Sequence, residues 1–176
     1  LIAGIDLASS GTVTVNNIDL TKISQNHRTF IRQHIGLVFQ DHKILFDRSV
    51  FANVRLALDI SNQSNSTKEI TARVTRALES VGLEHKIHAR PEQLSGGEQQ
   101  RLCIARAIVH QPKILLADEP TANLDNESSK IIMEIFKELH KAGQTIIMVT
   151  HEPEYGKMAE KIVKLDDGQI MSITKN

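Results

Sequence analysis

The chain has no tryptophan, one tyrosine and one cysteine in 176 residues, and its charges cancel, with Lys and Arg numbering 21 against 21 Asp and Glu. Each shortage excludes something. A lone cysteine cannot build a disulfide framework, so Cys103, inside the apolar stretch "RLCIARAIV", reads as a core thiol in a reducing compartment. Balanced charge withholds the basic excess expected of a nucleic-acid binder, and no nucleic-acid partner is expected. No apolar run approaches the ~20 residues that cross a bilayer. The opening "LIAGIDLASSG" lacks the basic segment of a secretory signal. A soluble, cytoplasmic protein is therefore expected. With 40% hydrophobic and 24% charged residues, the chain has the composition of one globular domain with its own core.

Local patterns alternate between strand and helix. Leu1 to Gly4 reads as the last turn of a helix, and a start at Leu1 rather than Met leads us to expect residues upstream. "GTVTVNNIDL" suggests a short strand and a turn around Asn16-Asn17. "IGLVFQ" (Ile35 to Gln40) is a short strand-type run. "VFANVRLALDI" has helical spacing. In the next helix Ser66 and Glu69 match a capping box, Ile70, Val74, Leu78 and Val81 line one face, and Gly82 ends it. After Pro91 a helix is expected from about Glu98 to His110. "PKILLADEP" and "QTIIMVTH" read as fully buried strands, separated by the helix "SSKIIMEIFKELHKAG". "EKIVKLDDGQIMSIT" reads as two strands joined at Asp167-Gly168. The alternation predicts an α/β fold with a largely parallel sheet. A helical block from about residue 41 to 90 interrupts it as an inserted subdomain. No internal repeat is present.

Chemistry gathers at strand ends. In open α/β sheets the ligand crevice lies beyond the carboxyl ends of the strands. A buried strand ending in two carboxylates needs a reason, because unpaired ionised groups are costly at the edge of a core. Asp118 and Glu119 stand where a Mg²⁺ ion and an attacking water could sit, with Asp118 able to hold the metal and Glu119 able to act as general base; the alternative is a helix-capping acidic turn. The run to Gln40 ends in a neutral group able to bind Mg²⁺ or position water, and the run to His151 ends in an imidazole able to meet a phosphate. In "LSGGEQQ" the glycines admit backbone amides to a ligand, Ser95 adds a hydroxyl, and the helix beginning near Glu98 favours an anion at its N-terminus. His85-x-x-His88 has the spacing of a metal pair but no further ligand at useful distance.

These strings resemble the motifs of ABC-type ATPases. "LSGGEQQ" is similar to their signature motif, "ILLADEP" to their Walker B strand, "TANLD" (Thr121 to Asp125) to their D-loop, "VFQD" to their Q-loop and "VTH" to their H-loop. Their order is the family's, and Gly97 stands 21 residues before Asp118. The resemblance implies a P-loop NTPase fold of the ABC type: a mostly parallel sheet, an inserted helical subdomain spanning about 41–110 and a small antiparallel β element. It implies ATP and Mg²⁺ as cofactors and a head-to-tail homodimer sandwiching two ATP molecules. Gln40, Ser95, Gly96, Gly97 and Asp125 contact nucleotide, Asp118 and Gln40 hold the metal, and Glu119 and His151 act in hydrolysis. The resemblance also implies an integral membrane partner received by the helical block, and a place on the inner face of the cell membrane. The segment "VFQDHKILFDRSVFANV" is similar to the cell-division branch of the family; the lipoprotein-release and macrolide-export branches differ more there.

One family part has no counterpart among the 176 residues. No segment fits the phosphate cradle G-x-x-x-x-G-K-[ST]. In relatives the cradle's helix leads into a segment like "LIAG", so the cradle and the first strands are expected to lie ahead of Leu1. Apolar surface is expected to be exposed without them. Alternatively, the chain is a degenerate subunit lending Ser95 and Gly97 to an intact partner. A third possibility, a cassette acting on DNA or ribosomes, would bring coiled coils or a second cassette, and neither is present.

Overall fold

A two-residue strand pair opens the chain, β1 (Thr14–Val15) antiparallel to β2 (Ile18–Asp19), in a computed structural model that describes residues 1–15, 17–61 and 66–176. Asn17 turns it at φ 62°; Asn16, the other half of the expected turn, lies outside the described residues. Leu1 to Gly4 forms a turn closed by the Gly4 N–H on the Leu1 carbonyl at 2.8 Å. Helix α1 (Gln25–Arg32) follows, with the Ser24 hydroxyl accepting from the His27 amide.

Strands β3 (Ile35–Val38), β4 (Ile114–Asp118) and β5 (Thr145–Val149) form the parallel sheet, in that order. Val38 pairs with Ala117, and Asp118 with Val149, so the three strands end at one level. The β3 ladder stops at Val38, two residues short of the expected Gln40. Between β3 and β4 there are helices α2 (Val50–Ile60), α3 (Thr67–Glu79) and α4 (Gly96–Ile108), with 3₁₀ turns at Glu84–Lys86 and Pro91–Gln93. The Ser66 hydroxyl accepts from the Glu69 amide at 3.3 Å. Gly82 stops α3 at φ 67°, with the Leu83 amide bonded back to the Leu78 carbonyl at 2.9 Å in the manner of a Schellman cap. The expected face is partly buried at Ile70 and buried at Val74, Leu78 and Val81.

Helix α4 is the hub of the core. Leu102, Cys103, Ile104, Ala105 and Ala107 are buried on nearly all its sides, and it packs on α2, α3, β3 and the later helix α5 (Asn126–Lys141). Its approach to β3 requires Gly36, where a Cβ would strike the Ala107 carbonyl and come within 2.9 Å of Leu115. The loop into α2 is pinned from inside by Asn53. Its buried amide donates to the carbonyls of Leu45, Arg48 and Ser49 and its oxygen accepts from the Leu45 amide. After β5 come a short helix, α6 (Pro153–Gly156), and a hairpin, β6 (Lys161–Asp166) with β7 (Gln169–Lys175). Asp167 and Gly168 turn it with both φ positive, 44° and 75°, as a two-residue I′ turn requires.

Three expectations are corrected. Helix α4 spans Gly96–Ile108, beginning two residues before Glu98 and stopping short of His110. Helix α5 begins at Asn126, capped by Asp125, rather than at Ser128. The strands are not buried on both faces: Leu115 and Ala117 are covered, but Ile147 is 39% and Val149 56% exposed. α5 packs against β5, while the face bearing Ile147 and Val149 stays open. Among the described residues no helix is long and apolar enough to cross a membrane.

Burial pushes the Cys103 thiol up to about 12, and its S–H donates to the His42 carbonyl at 3.1 Å. The folded chain is therefore expected to resist an aromatic disulfide reagent at pH 8, with one thiol titrating once denaturant is added. Rapid labelling without denaturant would contradict this burial.

Candidate active site

Strand registry builds the site. Because β3, β4 and β5 end together, the residues just past each end are delivered to one edge of the sheet. Gln40 and Asp118, both exposed, line a single cleft of about 380 Å³ with Phe39, Asp41, Lys43 and Asn123, a volume in the range of small-ligand sites. An amide oxygen beside a carboxylate is a hard-oxygen donor set of the kind that suits Mg²⁺. The residues present fit the metal side of a nucleotide site.

Glu119 does not line that cleft. Its backbone is left-handed at φ 46°, and its amide donates to the Val149 carbonyl at 2.9 Å. The side chain is 18% exposed, with Oε2 at 2.9 Å from His151 Nδ1. Hydrogen bonding to Glu119, then its charge, raises the His151 pKa above the ordinary 6.5. The exposed imidazole also meets Glu152 Oε1 at 3.4 Å. The two consecutive carboxylates are thus separated, one in the cleft beside Gln40 and one on the imidazole.

The signature residues stand elsewhere. Ser95, Gly96 and Gly97 do not line the Gln40 and Asp118 cleft. Ser95 is the N-cap of α4. Its hydroxyl accepts from the Glu98 amide at 3.2 Å, while the Glu98 carboxylate accepts from the Ser95 amide at 2.8 Å. That backbone bond is the main reason the Glu98 pKa is lowered. The S-x-x-E spacing of this capping box was a readable signal for the true helix start, and sequence reasoning missed it. The Gly96 and Gly97 amides fall in the first turn, where the helix's own ladder leaves N–H groups unused.

The two glycines differ in purpose. A Cβ on Gly96 would meet only Leu124 at 3.7 Å, whereas one on Gly97 would lie 2.6 Å from Ser128 Oγ and 2.9 Å from its Cβ. Gly97 is therefore required first by the packing of α4 on the start of α5. Ser128 also donates its amide to Asp125 Oδ1 at 2.8 Å and its hydroxyl to Oδ2 at 2.9 Å. These bonds, the amide's first, hold the Asp125 carboxyl below the usual carboxylate range.

Several contributors were not named from the sequence: Lys43 and Asn123 in the cleft, though both lie within quoted motif segments, Ser128 behind Gly97, and Arg106 against the loop after Gln40. Four of the seven left-handed non-glycine residues among the described residues lie in this region: His42, Lys43, Glu119 and Asn123, with φ of 59°, 48°, 46° and 65°, and such strain is often found at functional sites.

Parallel strands that lead into Gln40, Asp118-Glu119 and His151, with a capped LSGGEQQ helix, define an ATP-binding cassette. The chain belongs to the ABC transporter family, whose sequence profile matches residues 1–122. It is an ABC ATPase subunit, of a family that binds ATP, typically with Mg²⁺. It is similar to the cell division ATP-binding protein FtsE of Escherichia coli K12, at 42% identity over 171 residues, which is 97% of this chain and 76% of that protein. FtsE of Haemophilus influenzae is 45% identical over 152 residues, 86% of this chain and 69% of that one. Among solved structures, the dimeric post-hydrolysis ATP-binding cassette MJ0796 bound to ADP and Pi superposes with a TM-score of 0.89 at 34% identity, covering 99% of this chain and 77% of that one.

Two outcomes are expected from this geometry. His151 should titrate above 6.5 by NMR, and Glu119→Gln should return it towards that value. The pairing favours the imidazolium, so its contribution is fully present below the ordinary value and fades as pH rises through the raised one. Gly97→Ala should lower stability by about 1–3 kcal/mol through overpacking. In denaturant melts, Ser128→Gly should recover part of that loss in the double variant and none in isolation.

Proposed function

We propose that these residues form the hydrolytic and signature parts of an ATP-driven engine that works, in an FtsE-like manner, on a membrane subunit of the FtsX kind at sites of bacterial cell division. Residues 41–110 serve as the helical subdomain that receives that subunit. Two copies associate head to tail as a homodimer on the inner face of the membrane. Supporting the reading are the similarity to FtsE, the dimeric state of the MJ0796 neighbours and the motif order along the chain.

Bound Mg·ATP supplies the reactive phosphoanhydride and the Lewis acidity that screens its charge. Gln40 and Asp118 would hold the metal through their side-chain oxygens. Glu119 accepts the proton of the attacking water. His151 donates from its imidazole towards the terminal phosphate and keeps the Glu119 carboxylate oriented. Ser95, with the Gly96 and Gly97 amides, presents donors to the nucleotide of the opposite subunit, while Asp125 caps α5 at the seam. The observation that carries the reading is the 2.9 Å contact between His151 and Glu119 beside the Gln40 and Asp118 cleft. It puts an acceptor for water and an imidazole together at the sheet edge.

The phosphate cradle is not among these 176 residues, so the chain alone is expected to release no phosphate from ATP above background. A polypeptide joining a G-x-x-x-x-G-K-[ST] segment to these residues should turn over ATP. Glu119→Gln should then lower the rate by about 10²–10⁴-fold, as loss of a general base does. Retained turnover in that variant would remove Glu119 from the reaction. Co-purification with FtsX tests the partner; loss of capture on substituting exposed Phe46 would place the contact on the helical block.

A further inference from the structure

The loop after Gln40 holds two consecutive non-glycine residues in the left-handed region, His42 and Lys43, where a Cβ crowds its own backbone. The Lys43 N–H donates to the Asp41 carbonyl at 2.6 Å, closing a three-residue turn around His42. A γ-turn with positive φ at its centre is rare, and such strain persists only where the surroundings over-determine it. Several side chains hold it: Lys43 Nζ pairs with the Asp41 carboxylate, the Gln99 side chain bonds to His42, and α4 grips the turn's carbonyls. Arg106, on α4, donates from Nη1 to the Lys43 carbonyl and from Nη2 to the His42 carbonyl, both at 2.6 Å. Cys103 adds its S–H to the same His42 carbonyl. The clamp stands on a rigid base, because Leu102, Cys103, Ile104, Ala105 and Ala107 around it are buried. Gln40 lies immediately before the clamped turn, and Lys43 within it lines the same cleft as Gln40 and Asp118.

We propose that Arg106 is a positioning residue for Gln40: its guanidinium fork holds the strained turn at residues 41–43 and so fixes where Gln40 faces Asp118. The proposal rests on the reading of that cleft as the metal-facing part of the site. It ties the Gln40 loop to the helix whose first turn is Ser95 to Gly97, since one rigid rod carries both. A planar fork that serves two successive carbonyls is specific to arginine. Lysine offers a single ammonium on a flexible stem and cannot replace it.

The test uses the whole 176-residue chain with NMR hydrogen exchange, and Mn²⁺ as a paramagnetic probe of the cleft. Arg106→Lys and Arg106→Met are each expected to speed exchange of the His42 and Lys43 amides about tenfold or more, as local opening does. Amides of the β6–β7 hairpin should be unchanged. Broadening of the Gln40 side-chain amide should then require about tenfold more Mn²⁺, the shift expected when a preorganised site is loosened. Wild-type exchange and wild-type Mn²⁺ response in Arg106→Lys would overturn the proposal, because charge and stem alone would then suffice. Should Arg106→Met fail to fold, Arg106→Lys carries the test by itself. If Mn²⁺ fails to broaden Gln40 in the unsubstituted chain, the metal reading falls. Faster exchange in the variants still upholds the clamp, and unchanged exchange removes it.

Discussion

The burial of α4 is the constraint on which the rest of the structure depends. This helix fills the space between α2, α3, β3 and α5 with Leu102, Cys103, Ile104, Ala105 and Ala107. Burying such side chains contributes on the order of 1.5–3 kcal/mol each for the larger ones. Because the packing is close on several sides, the helix cannot shift without disturbing all of its neighbours. Three functional features are anchored to it: the Ser95 cap at its start, the Arg106 fork on the loop after Gln40, and the close approach to β3 at Gly36. The absence of a side chain at Gly36 and Gly97 allows those approaches. At both positions the glycine meets the chain's own atoms, before any ligand is considered.

A second consequence concerns charge. The consecutive carboxylates Asp118 and Glu119 would repel each other if both faced one cleft. Ending β4 at Asp118 and turning Glu119 into left-handed backbone sends them apart, one beside Gln40 and the other onto His151. Each then has chemistry of its own: an open oxygen ligand, and an acceptor set against an imidazole. The backbone strain at Glu119 accompanies that separation, and the neighbouring strain at His42, Lys43 and Asn123 belongs to the same edge of the sheet. Left-handed residues with a Cβ are stable only when several contacts hold them. The Arg106 bonds and the β4–β5 ladder are such contacts.

Much of this was legible in advance. Apolar runs of four or five residues marked β3, β4 and β5, and the side chains at their ends marked the sheet edge as a site, because parallel strands deliver their ends to one side. Asp167-Gly168 marked the last hairpin, since only residues tolerant of positive φ suit that turn. The start of α4 was equally readable from Ser95 and Glu98, a capping box of the same form as Ser66 and Glu69. The glycines between them drew attention to ligand binding and away from the cap. By contrast, "TIIMV" reads as buried on both faces, yet Ile147 and Val149 are exposed. Whether the second face of a strand is covered depends on what packs there, and hydrophobicity along the strand carries no record of it.

The sequence by itself determined the chemistry and its order. Short-range rules of strand length and turn preference placed Gln40, Asp118 and His151 at or just past the ends of strands, and the motif strings, which include Ser95 and Asp125, identified the family. Only the tertiary structure decided which of these residues meet. The pairing of Glu119 with His151, the seating of Gly97 on Ser128 and the grip of Arg106 on residues 42 and 43 join positions 32, 31 and 63 or 64 residues apart. Such contacts arise from sheet registry and helix packing, which depend on the whole chain folding at once.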